Sequence, residues 1–330
     1  MPSKAKNAIV FIHGLARKPS PEKLAELWLE GLGRDNPMPT VFAPPNAGVQ
    51  LDLEGTEAFF NYYADVFYGE DYETDFRAYR EREGLEIATE EALDDMAPNA
   101  EPTTPREIAF VASFEAKLAA QAVLTPAPGP APASAGPGDA QFEIAAWLPT
   151  PLKRGIIKKA AMEAFYFLFD KEYTRPDGVS FRVRKELRDR LLAELHKASA
   201  AADRVIVVSH SMGTIVAYDV LRNCPDCPPV DTLITLGSPL GLEEVQDELK
   251  ATGVKKVDFP AERLAHWVNV YDPLDPICGA DPKLGRDYAP VGSKQVEDIR
   301  ESNWGKWRHT ITHYFAGTLF RARLLQALKA

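Results

Sequence analysis

Residues 205–217 read Val205-Ile-Val-Val-Ser209-His210-Ser211-Met212-Gly213-Thr-Ile-Val-Ala217, and the fold turns on them. Four β-branched residues in succession suit a strand covered on both faces, since a half-wet strand would alternate polar and apolar positions. Small residues at 209 and 213 then bracket Ser211, and an apolar segment of helical character follows at once. A strand that turns sharply into a helix has room only for small side chains two positions either side of its apex. The apex residue projects from the end of the sheet, and the new helix offers an unpaired backbone N–H there, from Met212. The plainer role for a serine at such a turn, against which the nucleophile reading is weighed, is to cap the helix.

Outward from this turn the pattern repeats. Ala8–Ile12 is an apolar run that ends at His13-Gly14, a strand meeting a turn. Ser20 and Pro21 open a helix that Gly31 or Gly33 stops, with Leu24, Leu27 and Trp28 on one face. Val41-Phe42, ahead of Pro44-Pro45, reads as a short second strand. Val183, Leu187, Leu191 and Leu195 recur every four residues on another helix, and Thr232–Leu236 and Trp267–Tyr271 read as strands. Strands alternating with helices predict an α/β fold with a mostly parallel sheet flanked by helices.

The chain has 330 residues and a formal net charge of −10. That acidic balance, without a dense Lys/Arg block, argues against nucleic acid as a partner. No apolar run reaches the roughly 18 residues of a membrane helix. The N-terminus shows no secretory h-region, and three cysteines cannot build a disulfide framework, so a cytoplasmic protein is expected.

About 200 residues separate His13 from Ser211, more than one strand and two helices need. The pattern therefore predicts a core from residues 1–50 and 181–330, with a mainly helical cap inserted at 51–180. Within the insert, Asp52–Asp95 carries 15 acidic and 3 basic residues together with nine aromatics, as an amphipathic unit would. Residues 121–140 (QAVLTPAPGPAPASAGPGDA) read as a flexible loop. Lys153, Arg154, Lys158 and Lys159 precede Ala164-Phe-Tyr-Phe-Leu-Phe169, so weak contact with a lipid interface through 151–170 competes with burial of the apolar side. Cys224-Pro-Asp-Cys227 lacks a second ligand pair and reads as structural rather than as a metal site.

The elbow at 205–217, the run Val10-Phe-Ile-His13-Gly14-Leu15 and the run Leu233-Ile-Thr-Leu-Gly237-Ser238-Pro239 together resemble the α/β-hydrolase superfamily, closest to its lipase-like and esterase-like serine hydrolases. The likeness covers roughly residues 7–48 and 181–315 and excludes the insert. Ser209 departs from the glycine usual at the first small position.

The resemblance implies Ser211 as nucleophile, then an acid and then a histidine in chain order. Asp275 fits the acid better than Asp272, and His313, followed by aromatics, fits the base better than His309. It further implies an oxyanion hole from the amides of Leu15 and Met212, with His13, Gly14 and His210 shaping or lining the pocket. Neither cofactor nor metal is implied. The expected reaction is cleavage of a small, apolar acyl ester through an acyl-enzyme. Thioesterase or acyltransferase chemistry would use the same residues, and a non-catalytic scaffold binding through its cap is the alternative from another class.

Overall fold

A computed structural model describes residues 5–14, 17–70, 101–124, 150–250, 254–304 and 308–330. In chain order the elements are β1 (Ala5–Ile12), α1 (Pro21–Gly33), β2 (Thr56–Asn61), α2 (Ala64–Tyr68), α3 (Pro105–Leu124), α4 (Thr150–Leu168), β3 (Glu172–Thr174), β4 (Ser180–Arg182), α5 (Val183–Ala201) and β5 (Ala202–His210). They continue with α6 (Met212–Asn223), β6 (Val230–Leu236), a 3-10 turn (Pro239–Gly241), α7 (Glu243–Leu249), β7 (Leu264–Tyr271), β8 (Val296–Arg300), α8 (Ile311–Ala316) and α9 (Thr318–Lys329).

Six strands form one sheet in the order β2-β1-β5-β6-β7-β8, and every pairing in it is parallel. The continuous apolar runs of the sequence are explained by cover on both faces. From β1, Ala8, Val10 and Ile12 face a cluster with Val183, Leu187, Leu191 and Ile215, while Ile9 and Phe11 face one with Leu24, Trp28, Phe315 and Leu324. Strand β5 divides in the same way, Val205 and Val207 to the first face, Ile206 and Val208 to the second. Successive side chains of a strand point to opposite faces, so a sandwiched strand must be apolar at every position. This is an α/β architecture.

Helices α3 and α4 of the expected insert contribute to the core on the first face of the sheet. Phe110, Phe114 and Leu118 of α3, with Phe165 and Tyr166 of α4, belong to the first-face cluster beside β1, β5 and α5. Lys117 pairs with Glu244 at 2.7 Å and Arg106 with Glu248 at 2.8 Å, tying α3 to α7. In the stretch 151–170, where weak lipid contact was expected, Phe165, Tyr166 and Phe167 have no exposed surface.

Two expectations change. Val41-Phe42 forms no strand, and the second strand lies instead at Thr56–Asn61, inside the range assigned to the insert, in register with β1 from Asn7↔Thr56 to Ile12↔Asn61. Residues 121–124, expected to open the flexible loop, are the last turn of α3. The remainder of that loop (125–140) and of the acidic stretch (71–95) lies outside the described residues.

Candidate active site

The chain leaves β1 for β2 on one side and reaches β5 on the other, so the order of connections reverses between β1 and β5. In open parallel sheets the crevice at the carboxyl ends of the strands at such a reversal is where ligands bind. His13-Gly14 follows β1 and Ser211 follows β5 at this point, with Ile12 and Ser209 paired across the two strands.

Ser211 sits at φ 56°, ψ −129°, outside the regions an L side chain normally occupies. It is the N-cap of α6 in position only: its side chain makes no capping hydrogen bond, and the buried hydroxyl Oγ has no partner among the described residues. Its main chain is fixed by Ser211 N–H donating to Leu236 O at 3.0 Å and by the Thr214 hydroxyl donating to Ser211 O at 2.6 Å. Strained backbone of this kind clusters at functional sites.

Glycines let the surrounding turns close on it. A Cβ on Gly213 would lie 2.5 Å from His13 O, and one on Gly14 would lie 2.6 Å from Ser211 Cβ and 3.3 Å from Ser211 Oγ. Hence the turn after β1 touches the serine only because residue 14 has no side chain. His13, expected to shape or line the pocket, is held as a support for that turn. Its Nε2 accepts from Tyr63 N–H at 3.0 Å, so Nδ1 carries the proton and donates to Gly14 O at 2.7 Å. Its ring stacks on Tyr63 at 4.0 Å, and burial, with Lys18 nearby, lowers its pKa to about 3. It is a neutral imidazole.

The acid and the base are where the sequence left alternatives. Asp275 is fully buried, and His309 Nδ1 lies 2.8 Å from its Oδ2 and 3.0 Å from its Oδ1. A carboxylate only accepts, so His309 donates through Nδ1, and Nε2 becomes the basic nitrogen. The preferred histidine, His313, is not on Asp275. Its ring stacks on Trp304 at 3.8 Å, neither ring nitrogen has a partner among the described residues, and burial lowers its pKa to about 3. His309 precedes the extended Thr310 cap whereas His313 lies inside α8, so helical spacing does not align the two rings.

Asp272 does not join this pair either. It accepts from Arg308 Nε at 2.6 Å, Asn303 N–H at 2.9 Å and Leu274 N–H at 2.9 Å, and so anchors the segment that carries His309. Burial raises the Asp272 carboxyl against the opposing pull of Arg308.

His210 links the two halves. It precedes Ser211 in the chain, its ring stacks on His309 at 4.6 Å, and its Nε2–H donates to His309 O at 2.8 Å. Burial, followed by the charge of His309 and Lys18, holds its pKa well below the ordinary value. Gly237 closes the base of the site at φ 56°, where a Cβ would lie 2.9 Å from Asp275 Oδ2 and 3.0 Å from His309 Nδ1. Met212 opens α6 as expected, so its amide belongs to the unpaired first turn. Leu15, the other expected oxyanion donor, lies outside the described residues.

Sequence reasoning missed Tyr314, whose hydroxyl donates to Asp275 Oδ2 at 2.6 Å, and the steric role of Gly237. A glycine after a buried strand was a usable signal for the latter, whereas nothing in the spacing pointed to Tyr314. The described cysteines at 224 and 227 are buried free thiols just after α6.

No known protein family and no curated protein matches the chain. Among solved structures it is similar to an uncharacterized protein from Pseudomonas aeruginosa, at 7% identity and a TM-score of 0.33. That match covers 98% of this chain, which spans about half (46%) of the other.

Proposed function

We propose that this protein is a serine hydrolase of the α/β-hydrolase type, cleaving a carboxylic ester through an acyl-enzyme on Ser211. The observation that carries the proposal is the strained serine itself, at φ 56° with a buried hydroxyl not spent on capping, next in the chain to His210, whose ring stacks on an imidazole oriented by a buried carboxylate. A hydroxyl is a weak nucleophile until a neighbouring base takes its proton, and the base needs a fixed tautomer to do so.

In this reading Ser211 Oγ attacks the ester carbonyl while His309 Nε2 takes its proton. Asp275 stabilises the imidazolium, and the Met212 amide stabilises the tetrahedral oxyanion. The alcohol leaves with the proton from His309. Water, deprotonated by the same nitrogen, then releases the acid and restores the serine. His309 replaces His313 as the proposed base, and the apolar acyl group remains the proposed substrate class.

A small fluorophosphonate, followed by peptide mass spectrometry, tests this. Wild type should be modified at Ser211, Ser211→Ala should not react, and His309→Gln should lose the reaction while His313→Gln keeps it. Folded wild type that does not react, or an adduct that survives in Ser211→Ala, would sink the proposal. An ester panel of graded chain length then reads the acyl preference.

A further inference from the structure

Asp275 is surrounded by donors, and they are not equivalent. Oδ1 accepts the amide of Ile277 at 2.7 Å and lies 3.4 Å from that of Cys278, so its own turn occupies that oxygen. Oδ2 takes the shorter of the two contacts with His309 Nδ1 and also the Tyr314 hydroxyl, at 2.8 and 2.6 Å. A phenol and an imidazole therefore compete for one oxygen. Tyr314 has no exposed surface, and burial, reinforced by Asp275, raises its pKa well above the ordinary value, so it remains a donor.

We propose that Tyr314 is a positioning residue, whose hydroxyl fixes the Asp275 carboxylate and shares its charge, and so sets how firmly Asp275 holds the protonated His309. The proposal rests on the serine-hydrolase reading above. Packing alone would be served by phenylalanine, since Tyr314 belongs to the apolar core of the second face. The hydroxyl is what reaches the carboxylate.

The other charged and titratable groups around the pair are buried or paired. Cys278 Sγ lies 3.8 Å from the Tyr314 hydroxyl, and its thiol is pushed up by burial. Asp272 is neutralised by Arg308 at 2.6 Å, and its amide lies 3.4 Å from the Tyr314 hydroxyl. His210 and His313 are held neutral by burial, and Lys18 acts on the His210 side. When His309 takes a proton, the response falls on the Tyr314–Asp275–His309 chain.

The sign follows. Without the phenol, Oδ2 gives its full charge to His309, the imidazolium is favoured, and the neutral base appears only at higher pH. In Tyr314→Phe the acid limb of the Ser211 phosphonylation rate should move up by about half to one pH unit. Monofluorotyrosine installed at 314, a stronger donor of nearly the same size, should move the limb down. Opposite shifts support the proposal, whereas unmoved limbs, or two shifts in one direction, overturn it.

If Tyr314→Phe does not fold, the fluorotyrosine protein decides alone. Should wild type fail to react at Ser211 at any pH, the hydrolase reading fails. Nitrogen NMR titration of the His309 ring in the same proteins then tests the charge sharing without any reaction. Identical titrations would refute it.

Discussion

Replacing Gly237 with alanine tests whether the geometry of the acid–base pair depends on the turn beneath it. Two costs arise, and they can be separated. The first is backbone strain, because Gly237 has φ 56°, which should cost an L residue about 1–2 kcal/mol, offset by roughly 0.4–1 kcal/mol from the stiffer unfolded chain. The second is crowding. The new Cβ would lie 2.9 Å from Asp275 Oδ2, 3.0 Å from His309 Nδ1 and 3.1 Å from His309 Cε1, all closer than ordinary van der Waals contact. Those groups are hydrogen-bonded to each other, and the His210 ring stacks on His309, so retreat is resisted. Overpacking of this kind costs about 1–3 kcal/mol.

Gly292 supplies the control. Its φ is 62°, and a Cβ there would meet nothing within 4 Å, so Gly292→Ala carries strain alone. Urea unfolding should therefore place Gly292→Ala about 1 kcal/mol below wild type and Gly237→Ala a further 1–3 kcal/mol below that. The fluorophosphonate rate at Ser211 should fall by about tenfold or more in Gly237→Ala, because displacements below an ångström disturb proton transfer. It should stay unchanged in Gly292→Ala. Equal stability of the two variants, or a wild-type labelling rate in Gly237→Ala, would refute the reasoning.

Ser211→Gly should abolish labelling yet unfold at higher urea, gaining about 1–2 kcal/mol, since it removes both the φ strain and an unpartnered buried hydroxyl at a smaller entropic cost. Arg321 is buried, and among the described residues no carboxylate is hydrogen-bonded to it. It donates to Phe315 O at 2.6 Å, Asn46 O at 3.0 Å, Ala47 O at 2.9 Å and Arg34 O at 2.9 Å, so it pins α9 to the segment after α1. Arg321→Met should cost about 3–5 kcal/mol in the same unfolding measurement, by orphaning those carbonyls. His313 has its folded pKa lowered from 6.5 to about 3, so the unfolded state binds the proton first as pH falls. Stability should decline through that window at up to about 1.4 kcal/mol per pH unit, and His313→Phe should show a shallower acid decline by calorimetry.

The central sheet was legible because its physics is local. Val205–Val208, Thr232–Leu236 and Trp267–Tyr271 are apolar at nearly every position, which only a strand covered on both faces requires, and all three are strands. The helices at 21–33 and 183–201 were equally legible from Ser20, Pro21 and the four-residue leucine spacing. Edge strands were not. Thr56–Asn61 and Val296–Arg300 close the two ends of the sheet, each with a single neighbour, and carry charged, partly exposed residues that dilute the apolar signal.

The elbow, too, belongs to the sequence: small residues around Ser211 between a strand and a helix admit one backbone path, and Ser211 follows it at positive φ. Which histidine meets Asp275 was beyond the sequence. His309 and His313 are four residues apart with similar neighbours, and only the anchoring of Arg308 on Asp272 and the stacking of His210 aim one of them at the carboxylate. The Tyr314 hydroxyl reaches Asp275 from 39 residues away for the same reason. A covered strand or a tight turn writes its requirements into adjacent residues, whereas a contact between distant segments is fixed by how helices and loops pack on the sheet. No short stretch of sequence carries that information.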